Sequence, residues 1–278
     1  MSVIDCHQHF WWTARRAHKF PPEVGDRLDR DFTPDDLRPE LAAAGVDATV
    51  LVQSLNDLDE TAEYLDLQRE IDFIAGVVGW VPLADSAACE RALASLSGRG
   101  KLVGIRHLIA YEPDPKWLLQ PGVLDSLRLL AEAGLAFEAI PVTAPQLDSV
   151  LTLAARLPQL SIVLNHMGNP PVREQGCEPW AGQIARAAEL PNMSVKLSAG
   201  LAVVMTWRWR TEAVRSYADH LLARFGPQRV MAASNWPVVL LGGSYGQVWR
   251  GITDLIGGLA ADEQRAVLGG NARRVYNL

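Results

Sequence analysis

The feature that most constrains this chain is an alternation. Eight short runs of β-branched and other apolar residues, at 3–9, 48–53, 73–81, 102–109, 135–141, 160–166, 193–198 and 230–235, are separated by turns and by longer Ala-, Leu-, Arg- and Glu-rich stretches. Most runs are apolar on both faces, which is how a parallel strand covered on both sides reads. The stretches 61–72, 87–96, 123–133, 145–156, 181–190, 211–225 and 245–255 carry apolar positions three and four apart, as helices with one buried face do. Eight such units are more than most doubly wound sheets need. They predict an α/β fold, a (β/α)8 TIM barrel in a single domain over residues 1–278, with an open Rossmann-like sheet as the other arrangement of the same pieces. The length of 278 residues agrees with the ~250 typical of that barrel. Gly and Pro fall at the ends of the inferred elements, so no linker divides the chain. Residues 11–33 are mixed in charge and weakly periodic, which predicts an extended first βα loop at the mouth where barrel active sites are built.

Composition narrows the function classes. With 49% hydrophobic and 21% charged residues the chain has enough apolar surface for a large core and lacks the signature of disorder. A net charge of −6, from 26 basic and 32 acidic side chains without a Lys/Arg run, gives no footprint for a nucleic-acid backbone. The three cysteines, Cys6, Cys89 and Cys177, are odd in number and scattered, which points to a reducing compartment. No stretch reads as a signal peptide or approaches the ~18 apolar residues of a membrane span, so a cytoplasmic protein with no membrane partner is expected.

Four of the six histidines, His7, His9, His107 and His166, sit at the C-terminal ends of inferred strands, the catalytic end of a barrel. His7 and His9 are two apart, so on a strand they share a face and suit two ligands of one ion. The alternative for any one of them is a backbone hydrogen bond and nothing more. Lys196 and the pair Arg106-His107 also fall at strand ends, where a buried cation is costly unless paired. They read as substrate contacts or carbonyl polarisers, or else as a structural ion pair across the barrel. Neither cation has a carboxylate among its strand neighbours. Trp80, Trp236 and Trp12 either wall a pocket or belong to the core.

The segments Ile4-Asp5-Cys6-His7-Gln8-His9-Phe10-Trp11, Gly104-Ile105-Arg106-His107, Asn165-His166-Met167-Gly168-Asn169-Pro170, Lys196-Leu197-Ser198, Ser234-Asn235-Trp236-Pro237-Val238 and Gly270-Asn271-Ala272 together resemble the amidohydrolase superfamily. The nearest branch is the amidohydrolase-2 type sugar lactonases, those of L-fuconolactonase and L-rhamnonolactonase type, with 2-pyrone-4,6-dicarboxylate lactonase as a cousin. The resemblance runs from residue 3 to residue 278 in order. It implies a distorted barrel that opens a lactone of a sugar acid or related small molecule by water attack at the C-terminal mouth. It places His7, His9 and His166 at the metal-site positions, and the implied cofactor is either none or a single weakly bound Zn²⁺. The candidate catalytic residues are Asn235, His166 and His107, and the candidate substrate contacts are Arg106, Lys196, Gln8, Trp80 and Trp236.

Position 235 departs from the family's pattern, which has an aspartate there as general base; Asn165 and Asn169 depart from the strand-6 signature. A neutral amide cannot take the proton of an attacking water. Either Asn235 is an engineered change that keeps the shape, or it is natural and another group or the substrate serves as base. A metal-dependent decarboxylase of the same superfamily and a catalytically silent metabolite-binding barrel are the other readings. The expected partner is a small molecule, and a homodimer is compatible with all three.

Overall fold

The computed structural model describes residues 2–18, 20, 22–172, 174, 176–200 and 209–278. Eight parallel strands follow one another around a single sheet, β1 (Ile4–Gln8), β2 (Ala48–Val52), β3 (Ile74–Gly79), β4 (Leu102–Arg106), β5 (Ala136–Ala139), β6 (Ile162–Leu164), β7 (Met193–Leu197) and β8 (Val230–Ala232). The chain returns between them through α1 (Pro34–Ala44), α2 (Leu58–Glu70), α3 (Ser86–Leu96), α4 (Pro121–Glu132), α5 (Ala144–Arg156), α6 (Trp180–Ala188), α7 (Thr211–Phe225) and α8 (Tyr245–Leu255). This is the (β/α)8 barrel. Two short helices, α9 (Ala261–Arg265) and α10 (Asn271–Val275), follow the last repeat.

Local chemistry starts the helices where the strand-end loops require. Asp57, Asp85, Thr143 and Ser244 each accept a backbone N–H from the first turn of the following helix, and Pro34, Pro121 and Pro145 stand at first-turn positions where no N–H is needed. Helix α1 does not announce itself in the sequence. Only Leu37 and Leu41 mark its buried face after Pro34, and Pro39 interrupts it.

Strand alternation separates two cores. Leu51, Val77, Ile105, Phe137, Leu164, Val195 and Leu197 pack outward against the helices. Ile4, Val50, Val52, Val78, Val103, Val163 and Met231 form an inner cluster, which Ala272 and Tyr276 of the C-terminal segment join from the floor. By the same phase Glu138 and Lys196 face inward, whereas on β4 a register shift against β3, with Val77 opposite Leu102 and Val78 opposite Gly104, resets the alternation between Val103 and Ile105 and turns Arg106 inward.

The barrel closes between β1 and β8 with few ladder bonds. Asn235 N donates to His7 O (2.9 Å) and His9 N to Trp236 O (2.8 Å). Lower down, the Asp5 carboxylate takes the place of a ladder acceptor, receiving Ser234 N at 2.8 Å and Tyr245 Oη at 3.2 Å.

Candidate active site

Irregular backbone at three strand ends delivers the polar residues. On β1, Asp5 pairs with Thr49 and Gln8 with Leu51, so three steps on β1 oppose two on β2. That one-residue bulge shifts the phase: Cys6 belongs to the inner cluster, yet His7 and His9 also turn inward. After β6 the chain passes through His166, Met167, Gly168 and Asn169 with φ of 52°, 55°, 69° and 59°. A left-handed turn costs roughly 1–2 kcal/mol for each residue with a Cβ. It is held by Trp180 Nε1 donating to Met167 O (2.7 Å) and by Gly168 N donating to Asn165 O (2.9 Å). Asn235, after β8, is also left-handed at 62°, and its Nδ2 donates to Ala199 O at 2.8 Å. Its other end stands within hydrogen-bond reach of the His9 ring.

A column of buried polar groups rises through the barrel. Tyr276 Oη donates to Glu138 Oε1 from the floor. Lys196 Nζ lies 2.5 Å from the same oxygen and 3.1 Å from His7 Nδ1, and Asn165 Nδ2 donates to Glu138 Oε2 at 3.0 Å. His7 Nε2 is 3.1 Å from His9 Nε2, and His9 Nδ1 is 2.7 Å from Val52 O. The carbonyl needs a donor, so the His9 proton sits on Nδ1; His9 Nε2 then accepts from His7 Nε2–H, and His7 Nδ1 accepts from the Lys196 ammonium. The bonds from Lys196 through His7 and His9 to Val52 O then each have one donor and one acceptor, while Arg106 Nη1, 3.2 Å from His7 Nε2, brings a further donor to that atom.

Lys196 therefore has the carboxylate partner that the sequence reading did not find. Glu138 and Lys196 are both fully buried, and the expectation of an unpaired cation is corrected. The partner lies 58 residues away on β5. A lone Glu inside the apolar stretch Ala136-Phe137-Glu138-Ala139 was the available signal.

Burial holds His7, His9 and His166 neutral, well below the usual imidazole range; the positive charges of Lys196 on His7 and of Arg106 on His9 and His166 act in the same direction. Burial also lowers Arg106 to about 10, leaving it a cation at neutral pH. Arg106 Nη2 donates to Gln53 O, Nη1 stands 3.2 Å from His7 Nε2, and its buried Nε has no partner. Asn165 Oδ1 is likewise buried and unpartnered. His166 Nδ1 lies 2.9 Å from Ser198 Oγ.

His9, Arg106, Asn165, His166 and Asn235 meet at the floor of a cavity of about 270 Å³ at the C-terminal mouth. Not every expected residue faces it. His107 is committed next door: Trp80 Nε1 donates to its Nδ1 (3.0 Å), its Nε2 is 2.7 Å from Glu112 Oε1, and it stacks on Trp117 at 4.1 Å. Gln8 Nε2 donates to Thr49 Oγ1, and Trp236 packs on Phe10 and Phe32. His18, which the sequence reading passed over, lines the cavity from the first loop; its Nε2 is 2.7 Å from Ser54 Oγ, which donates to the buried Glu60.

The barrel, its strand order and these strand-end residues agree with a family model described as amidohydrolase, which matches residues 4–278. The chain belongs to the amidohydrolase family. This amidohydrolase is 36% identical to an L-fucono-1,5-lactonase of Burkholderia ambifaria, over 99% of this chain and 95% of that one. It is 23% identical to an L-rhamnono-gamma-lactonase of Scheffersomyces stipitis over 100% and 99% of the two chains. A crystal structure of a Burkholderia multivorans amidohydrolase with bound zinc superposes with a TM-score of 0.89 at 32% identity, covering all of both chains.

The residues present here do not fit a zinc ion. Among the described residues no group of three or more His, Cys, Asp or Glu side chains is disposed to hold a metal. Two cations flank the His7 ring, Lys196 Nζ at 3.1 Å from Nδ1 and Arg106 Nη1 at 3.2 Å from Nε2, where a dication would be repelled. Position 235 brings no negative charge to offset a dication.

Proposed function

We propose that this amidohydrolase opens a lactone of a small organic acid by water attack in the cavity above Arg106, using its own side chains. The observation that carries the reading is the buried, unpartnered Nε–H of Arg106 at the floor of a cavity that also holds neutral His166. An unpaired buried donor is costly, and a substrate carbonyl oxygen satisfies it. As the carbonyl becomes tetrahedral its oxygen gains negative charge, so the guanidinium binds the transition state more tightly than the ground state.

Water is held by Asn235 Oδ1, beside the His9 ring, in an amide whose nitrogen is committed to Ala199 O. With its Nδ1–H on Ser198 Oγ, His166 presents an Nε2 lone pair and takes the second water proton. The new C–O bond forms, the ring C–O bond breaks, and protonated His166 returns its proton to the departing alkoxide. The product is the open hydroxy acid. Asn235 thus orients the nucleophile, and His166 serves as base.

The test is acid release from a panel of five- and six-membered lactones, using enzyme dialysed against a strong chelator. The dialysed wild type keeps its rate, and Arg106→Met loses about 10²–10³-fold in kcat/KM, the scale of one oxyanion donor. Loss of the wild-type rate on dialysis with recovery on adding Zn²⁺ would return the site to metal chemistry.

A further inference from the structure

The cavity is two-faced. Its floor is polar, whereas its upper wall is apolar and drawn from several loops, with Phe20, Leu55, Leu108, Tyr111, Ile140 and Val142 on it. Tyr111 and Val142, 68% and 39% exposed, are the most exposed large hydrophobic side chains among the described residues; both line this cavity, and Val142 also borders the depression beside Asn169 and Pro170. Exposed apolar side chains gathered at one opening mark a binding surface.

Among the described residues one buried polar atom beside that wall, His18 Nδ1, has no hydrogen-bond partner, and others are already bonded. Trp11 Nε1 donates to Leu28 O and Arg30 O, and His18 Nε2 is joined through Ser54 to Glu60. The unpartnered polar atoms of the floor, Arg106 Nε and Asn165 Oδ1, lie where the ester is placed. A polyhydroxylated lactone buried here would lay its hydroxyls against Leu108, Ile140 and Val142, and each hydroxyl without a partner is costly.

We infer that the substrate is a lactone carrying an alkyl or aryl substituent directed at the mouth, with few ring hydroxyls. This rests on the lactone reading for the ester end alone. The apolar end follows from the wall.

The experiment has two arms, so that failure of the lactone reading is distinguishable from failure of this one. In the binding arm, calorimetry compares alkyl- or phenyl-substituted six-membered lactams with polyhydroxylated lactams, none of which the enzyme can open by ester hydrolysis. The substituted lactams bind at least 10-fold tighter; equal or tighter binding of the polyols, or no binding of the substituted lactams at millimolar concentration, overturns the inference. In the turnover arm, kcat/KM for alkyl-substituted lactones exceeds that for aldonolactones at least 10-fold. Leu108→Asn and Ile140→Asn each reduce that ratio at least 5-fold without lowering the melting temperature by more than a few degrees, and a faster aldonolactone or an unmoved ratio overturns the inference. Tight binding of substituted lactams with no lactone opened would leave the apolar ligand class standing and remove the lactone chemistry.

Discussion

Single residues here are decided by partners that the sequence does not place side by side. Lys196 reads as a substrate cation because Val195 and Leu197 flank it, and its carboxylate comes from another strand. With Glu138 in place the expected effect of removing the ammonium reverses. Lys196→Met leaves Glu138 buried with only Tyr276 Oη and Asn165 Nδ2 as donors, so the fold should lose about 3–5 kcal/mol, as when one partner of a buried pair is deleted. Lys196→Met with Glu138→Leu should recover much of that loss. Chemical denaturation measures both; a single variant as stable as wild type would show that the pair does not hold the barrel centre. His107 illustrates the opposite failure of local reading. Its strand-end position is that of a catalytic histidine, yet Trp80 and Glu112 occupy both ring nitrogens.

At the scale of elements, apolar periodicity locates the strands and most helices, two of them, 211–225 and 245–255, to the residue, but not the ends of the strands. The eight strand runs contain all eight observed strands, but the final residues of most runs, including His9, His107, His166 and Asn235, belong to the strand-end loops. Irregular backbone does the positioning, and no hydrophobic pattern encodes it: the β1 bulge turns His7 and His9 inward, and left-handed φ values carry His166 and Asn235. Helix α1 was missed because Pro39 breaks its apolar rhythm. Closure of β1 on β8 depends on Asp5, whose carboxylate accepts from Ser234 N, His7 N and Tyr245 Oη. Asp5→Ala would strand buried donors, each worth about 1–3 kcal/mol, against the relief of a carboxyl that burial raises to about 6. A net loss of about 2 kcal/mol or more is expected in denaturant titration. No loss would mean that the closing strands hold without it.

The whole molecule keeps three histidines neutral inside one barrel. Their folded pKa values lie well below 6.5, so below that pH the unfolded chain binds protons that the folded chain refuses. Stability present above pH 6.5 is lost as pH falls, at up to about 1.4 kcal/mol per pH unit for each group. Asp5 opposes this, since its folded form binds a proton near pH 6 before the unfolded form does, and Glu60, which burial also raises, acts in the same sense; His18 and His107, lowered by burial, add to the histidine side, so the histidines outnumber the opposing carboxyls. The melting temperature should therefore drop between pH 7 and pH 5. An unchanged or rising value would mean that the histidines are charged or solvated in the fold. One of these groups bears on catalysis, because His166 must be neutral to take the water proton. The most direct measurement is kcat/KM for an alkyl-substituted lactone against pH, in the wild type and in His166→Asn. A wild-type acid limb is expected with its midpoint below pH 6.5, and His166→Asn is slower by about 10²–10³-fold at pH 7 with no limb of that origin. A variant that retains the wild-type rate and pH profile would contradict it and place the base elsewhere in the cavity.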